Sequence, residues 1–317
     1  MKRRTFLLGS AVVAAAAAAT PWVMGVASRR TKEDLPIPAM EPRRAAVVWF
    51  SQTGHTQRIG RLIARLWQKQ GLDVVASDYR RFDRAQMPGF DLVVLGSPVN
   101  YFEAPGHFRA WIDSLPPLAG TRVAAYATFG GEGGNPLSAA AGLLDRMADL
   151  GALPVDLALF GNMSTFAPTW SLGNEARILA YRHLPDAETW ASVRRFTDGI
   201  LRRVRTGNGI TVPRAWNPRE LIKGAPSIAG TKLLISGHTV DEETCPGCDA
   251  CVQVCPVGAV DASSRVVDTS RCVACLGCVN TCPTGAMKMR FLGKPVYGFS
   301  EFLRRNAITI AEPPEAA

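Results

Sequence analysis

Ala45-Ala46-Val47-Val48-Trp49-Phe50-Ser51-Gln52-Thr53-Gly54-His55-Thr56 carries an apolar run straight into a polar, glycine-bearing loop, after which Ile59, Leu62, Ile63 and Leu66 recur at helical spacing. That order reads as strand, loop and helix. The alternation repeats down the chain: apolar runs at 73–76, 92–95, 123–127 and 155–160 lie between helical patterns near 105–115, 137–150 and 187–205. Five strands with helices between them predict an α/β domain over 44–205, built on a doubly wound five-stranded parallel sheet. Ligands of such sheets bind outside the carboxyl ends of the strands, which is where the 51–56 loop falls.

The loop has the chemistry of an anion site. Hydroxyls and backbone N–H groups gathered at a helix start converge on one point, and the helix dipole adds positive potential there. The loop contains no lysine, so it is not a Walker nucleotide motif. Two further loops follow predicted strands: Gly96-Ser97-Pro98-Val99-Asn100-Tyr101-Phe102 and Thr128-Phe129-Gly130-Gly131. Taken alone, the first loop is also compatible with a simple helix cap, and Tyr101 with core packing. Together the three loops resemble the flavodoxin family, whose T/S-x-T-G-x-T signature is matched by Ser51, Thr53, Gly54 and Thr56, with Gln52 and His55 at the intervening positions. The resemblance implies FMN, its phosphate in the first loop and its isoalloxazine ring between Ser97, Pro98, Val99, Asn100, Tyr101 and Phe102 on one side and Thr128, Phe129, Gly130 and Gly131 on the other. Tyr101 or Phe102 would stack on the ring, and glycine would let backbone amides approach its edge. His55 reads as a loop donor rather than a catalytic base, and no catalytic residue is assigned. The 163–185 stretch is longer than such a domain needs, and Trp170 and Tyr181 within it have no evident role.

All eight cysteines fall between residues 245 and 282, which points to a metal centre rather than a disulfide framework. Cys245, Cys248, Cys251, Cys255-Pro256 and Cys272, Cys275, Cys278, Cys282-Pro283 are two copies of C-x2-C-x2-C-x3-C-P. Zinc is the alternative, but its sites usually draw on paired C-x2-C units without the trailing proline. The repeat runs on, 256–260 matching 283–287, and over 233–290 the chain resembles the two-cluster bacterial ferredoxins. That resemblance implies two 4Fe-4S clusters in which the fourth cysteine of each run crosses over. Cys282 would then join Cys245, Cys248 and Cys251, and Cys255 would join Cys272, Cys275 and Cys278. A proline- and glycine-rich linker at 206–232 precedes this domain, and 291–317 reads as a C-terminal tail.

The chain has 317 residues, with 47% hydrophobic and 20% charged, which excludes global disorder, collagen and a polytopic membrane protein. Of the net charge of +9, Lys2, Arg3, Arg4, Arg29 and Arg30 contribute five in a stretch without acids, leaving +4 beyond residue 30. No basic run interleaved with aromatics follows, so nothing calls for nucleic acid. Residues 1–28 have a basic start, an alanine-rich uncharged stretch and small residues at the end, the pattern of an export signal. Arg3-Arg4-Thr5-Phe6-Leu7-Leu8 resembles a twin-arginine (Tat) motif, which a receptor reads to export folded proteins. An anchor that keeps the protein at the membrane is the alternative.

Over roughly 44–290 the chain resembles the flavodoxin and ferredoxin fusion family, mostly cytoplasmic electron-transfer proteins, and the Tat-like signal is its departure from that family. The resemblance implies an iron–sulfur flavoprotein that moves electrons between FMN and two clusters, with a redox partner protein or a quinone at one end, and the signal implies a periplasmic or exported location. A non-catalytic carrier, an accessory subunit of a respiratory complex, and a flavin-free docking scaffold are the other readings. No G-x-G-x-x-G follows a predicted strand, so direct use of NAD(P)H has no support in the sequence.

Overall fold

The computed structural model describes residues 32–130, 136–213 and 227–314. Residues 1–28, where an export signal is expected, and Gly131 lie outside the described residues. Among the described residues no helix is long and apolar enough to cross a membrane.

A short strand β1 (Asp34–Pro36) precedes the sheet proper. The sheet is built from β2 (Arg44–Trp49), β3 (Asp73–Asp78), β4 (Leu92–Pro98), β5 (Arg122–Gly130) and β6 (Leu153–Asn162). Their order is β3-β2-β4-β5-β6 and every pairing is parallel. This is the flavodoxin-like doubly wound arrangement, with its switch point between β2 and β4. The predicted fold class is therefore the observed one. Alternation along the strands sends Ala46, Val48, Val93, Leu95 and Ala125 to one face and Ala45, Val47, Val94, Ala124 and Tyr126 to the other. Both faces are buried, which is why these strands read as continuous apolar runs. Helices α1 (His55–Lys69) and α6 (Ala187–Thr206) cover the second face, and α2 (Gly106–Asp113) and α3 (Pro136–Asp149) the first.

Beyond the sheet, β7 (Asn208–Ile210) pairs antiparallel with β1, so the start of the expected 206–232 linker is held as a strand against the segment that precedes the sheet. The cysteine-bearing half begins with α7 (Ile228–Leu233) and holds a three-stranded antiparallel sheet of β8 (Ile235–Val240), β11 (Met287–Phe291) and β12 (Lys294–Pro295). A two-stranded hairpin of β9 (Val260–Asp261) and β10 (Val266–Val267) lies between the cysteine runs. Each run turns through a left-handed residue directly after its second cysteine, Asp249 at φ 56° and Leu276 at φ 61°, and enters a short helix, α8 (Ala250–Val254) or α9 (Gly277–Thr281). The sequence repeat is thus a backbone repeat, kept even where it forces a leucine into a region that costs roughly 1–2 kcal/mol.

The 163–185 stretch is the pad on which the cysteine half sits. It carries α4 (Pro168–Ser171) and α5 (Glu175–Leu179), and its Met163, Ala167, Trp170 and Ile178 share one apolar core with Val279, Met289, Phe299 and Phe302. Trp170 Nε1 donates to the Tyr297 carbonyl at 2.9 Å, and Asn280 Nδ2 donates to the Thr165 carbonyl at 2.9 Å. The expected tail supplies the other side of this core through α10 (Phe299–Arg305). Gly298, just before α10, lies so close to the cluster helix that a Cβ there would fall 1.9 Å from the Val279 carbonyl oxygen. Arg80, after β3, adds a contact by donating to the Gln253 carbonyl at 2.8 Å.

Candidate functional site

A cavity of about 340 Å³ opens at the carboxyl ends of β2, β4 and β5. Ser51, Gln52, Thr53, His55 and Thr56 from the first loop line it, as do Pro98, Val99, Asn100, Tyr101 and Phe102 from the second and Thr128, Phe129 and Gly130 from the third. The three loops are tied together. The hydroxyls of Thr56 and Thr128 hydrogen-bond at 2.8 Å, Tyr126 donates to the Thr56 carbonyl at 2.8 Å, and Val99 N–H donates to the Thr128 carbonyl at 3.0 Å. Of the expected flavin-site residues that are described, Gly54 and Ser97 do not line it. Ser97 shares strand parity with Val93 and Leu95, so its side chain points into the sheet's buried face and donates to the Pro98 carbonyl at 2.8 Å.

The first loop fits an anion. Gly54 caps α1 at φ 90°, a conformation glycine takes freely, and neither a side-chain cap nor an acid occupies the first turn. The helix's opening N–H groups and its positive dipole end are therefore left for a ligand. His55 is buried with neither ring nitrogen in a well-formed hydrogen bond, and burial, followed by the neighbouring Arg58 charge, lowers its pKa to about 4 against the opposing pull of the Asn162 side chain. It is a neutral ring. Arg58 adds a cation the sequence reading missed: its Nε holds Glu312 at 2.6 Å while its buried Nη1, beside Gly54, has no partner.

The second loop fits a flat ring. Tyr101 and Phe102 stand at φ 51° and 68° in a turn closed by reciprocal Asn100 and Glu103 backbone hydrogen bonds of 2.8 and 3.1 Å. Two aromatic residues in succession rarely take positive φ, and the strain holds both at the cavity wall. The remaining lining was not foreseen: Asn162 ends β6, Met163, Ser164, Thr165 and Phe166 follow it, and Ala274, Cys275 and Leu276 come from the second cysteine run. Tyr101 Oη donates to the Ala274 carbonyl at 3.3 Å, so the two halves meet across the cavity.

The cysteines form no disulfide, and among the described residues no three metal-ligating side chains gather tightly enough for a single ion. They fall into two looser sets. Burial raises the Cys251 thiol, and its neighbouring thiols are Cys282 and Cys245. Burial pushes Cys275 up to about 11 and raises Cys278 well above its ordinary value, and the thiols around these two include Cys272 and Cys255. The fourth cysteine of each run thus lies with the other run's triplet. Thiols raised in this way stay protonated near neutral pH without a cation beside them, and metal binding would release their protons. Several sulfurs already accept backbone N–H groups: Cys255 from Ala259 at 3.2 Å, Cys272 from Ala274 at 3.4 Å and Cys282 from Met287 at 3.4 Å. His238, not anticipated from the sequence, places Nε2 3.3 Å from Cys278 Sγ.

Fold and site together define a class: a flavodoxin-like sheet joined to a 4Fe-4S domain. Residues 238–290 match the family described as 4Fe-4S dicluster domain. No curated protein matches the chain. Among solved structures, the chain is similar to a flavodoxin from the domain Archaea, at 17% identity and a TM-score of 0.38 over 51% of this chain and 99% of that one. It is also similar to oxidised Flavodoxin 2 from Bacillus cereus, at 18% identity and a TM-score of 0.40 over 50% of this chain and 99% of that one. A third similarity is to rubredoxin oxygen:oxidoreductase from Desulfovibrio gigas, at 14% identity and a TM-score of 0.39 over 52% of this chain and 36% of that one.

Proposed function

We propose that the protein is an exported iron–sulfur flavoprotein that transfers electrons between FMN and two 4Fe-4S clusters and exchanges them with a quinone or a redox partner protein. The observation that carries the reading is the shared wall: one cavity is lined by the anion loop, the aromatic turn and Cys275. Bound FMN takes up two electrons and releases them singly, whereas each cubane carries one. Ser51, Thr53, Thr56 and the start of α1 would hold the phosphate, with His55 and Arg58 as further donors. Tyr101 and Phe102 would cover the ring, and Gly130 would let backbone approach its edge. The 163–166 and 274–276 segments supply the rest of the cavity's lining. Cys245, Cys248, Cys251 and Cys282 would hold one cluster, and Cys272, Cys275, Cys278 and Cys255 the other. Export through the Tat machinery suits this cargo, because that route carries folded proteins whose cofactors are already in place.

Anaerobic reduction of the holoprotein followed by mixing with a quinone tests the proposal. Flavin absorbance and the paramagnetic signals of the reduced clusters should return to the oxidised state together. Clusters that reoxidise while the flavin stays reduced would contradict it.

A further inference from the structure

The phosphate loop and the second cysteine run touch through one side chain. Gln52 sits at an unspecified position of the loop signature, and its carboxamide lies against α9. A Cβ added to Gly277 would fall 2.5 Å from Gln52 Nε2, and glycine there makes room for the amide. Gln52 Nε2 is buried and makes no well-formed hydrogen bond among the described residues. Cys275, two residues before Gly277, lines the same cavity as Gln52. Among the described residues no cysteine of the other set lines the cavity, and Cys248 of that set is exposed.

Resting on the function proposed above, we infer that Gln52 is a positioning residue that reaches from the flavin site to Cys275. The set Cys272, Cys275, Cys278 and Cys255 would then be the flavin-side cluster, and the set with the exposed Cys248 the outward one facing the redox partner. The physical argument is electrostatic. A reduced cluster is more negative than an oxidised one, so an N–H donor near a ligating sulfur favours reduction and raises the potential. A residue shared by the phosphate loop and one cluster therefore tunes that cluster alone.

The test is a redox titration of the full-length, anaerobically loaded protein, following each cluster by paramagnetic resonance. The Cys248→Ala variant identifies the outward cluster's signal. Gln52→Leu, which keeps the bulk and removes the donor, should lower the midpoint of the flavin-side cluster and leave the outward one in place, and Gln52→Glu should lower it further. Gly277→Ala keeps the glutamine but displaces its flexible end, and should shift the same cluster in the same direction. It carries the test if the Gln52 variants fail to load. Unchanged midpoints, or a shift of the outward cluster, would overturn the inference. Wild-type protein that loads no clusters would instead overturn the proposed function.

Discussion

Replacing Trp170 with alanine should uncouple the two halves of the molecule without unfolding the sheet. Trp170 is 3% exposed, its ring lies 4.6 Å from that of Phe302 and 6.2 Å from that of Phe299, and its Nε1 donates to Tyr297. Truncating a buried tryptophan costs about 3–5 kcal/mol, and the orphaned Tyr297 carbonyl adds about 1 kcal/mol. The loss falls on the apolar core shared by the 163–185 pad and the cysteine half, whereas the two cores on either side of the sheet do not contain Trp170. Urea unfolding of loaded protein, followed by cluster absorbance and by helical circular dichroism, separates the effects. With an m-value of about 2 kcal/mol/M, the cluster transition should move down by roughly 2–3 M while the sheet's transition stays near the wild-type midpoint. A variant whose cluster transition is unmoved, or whose sheet loses as much as the cluster half, would refute the assignment of 163–185 as the docking pad.

Other outcomes follow from the site. Thr53→Val removes a cavity hydroxyl that would face the phosphate; at about 1.5–3 kcal/mol for a charged hydrogen bond, FMN affinity in a flavin titration should fall about tenfold or more. His55 has a folded pKa of about 4 against an ordinary 6.5, so the unfolded chain takes up a proton first. Flavin-free protein should therefore lose about 3 kcal/mol of stability as pH falls from 6.5 to 4, and His55→Gln should flatten that slope in urea midpoints measured across the range. Cys282→Ala should damage the same cluster signal as Cys251→Ala, and Cys278→Ala the other, because Cys282 lies beside Cys251. Loss of one common signal from Cys282→Ala and Cys278→Ala would contradict the crossed sets.

The sheet and the loops at its carboxyl edge were legible in the sequence because their signals are local. An apolar run buried on both faces ends in hydroxyl- and glycine-rich residues, and nothing distant is needed to read it. The cysteine runs were legible for the same reason. Ser97 was misread because loop membership does not reveal side-chain parity, and β4 continues through Pro98. The pad and the C-terminal helix were missed because each is meaningful only against the other: Trp170 meets Tyr297 across 127 residues of sequence, and neither stretch has a long periodic pattern. Likewise Ala274, Cys275 and Leu276 became cavity residues only once the two halves were docked. Gln52 sat at a motif position that the anion chemistry leaves open, and its neighbour Gly277 lies far along the chain.

The most direct measurement is cofactor content: iron, acid-labile sulfide, zinc and flavin determined together on anaerobically purified full-length protein. The account predicts one FMN and about eight irons per chain, two cubanes of four, with no zinc at the cysteines. Zinc in place of iron, or clusters without flavin, would contradict it.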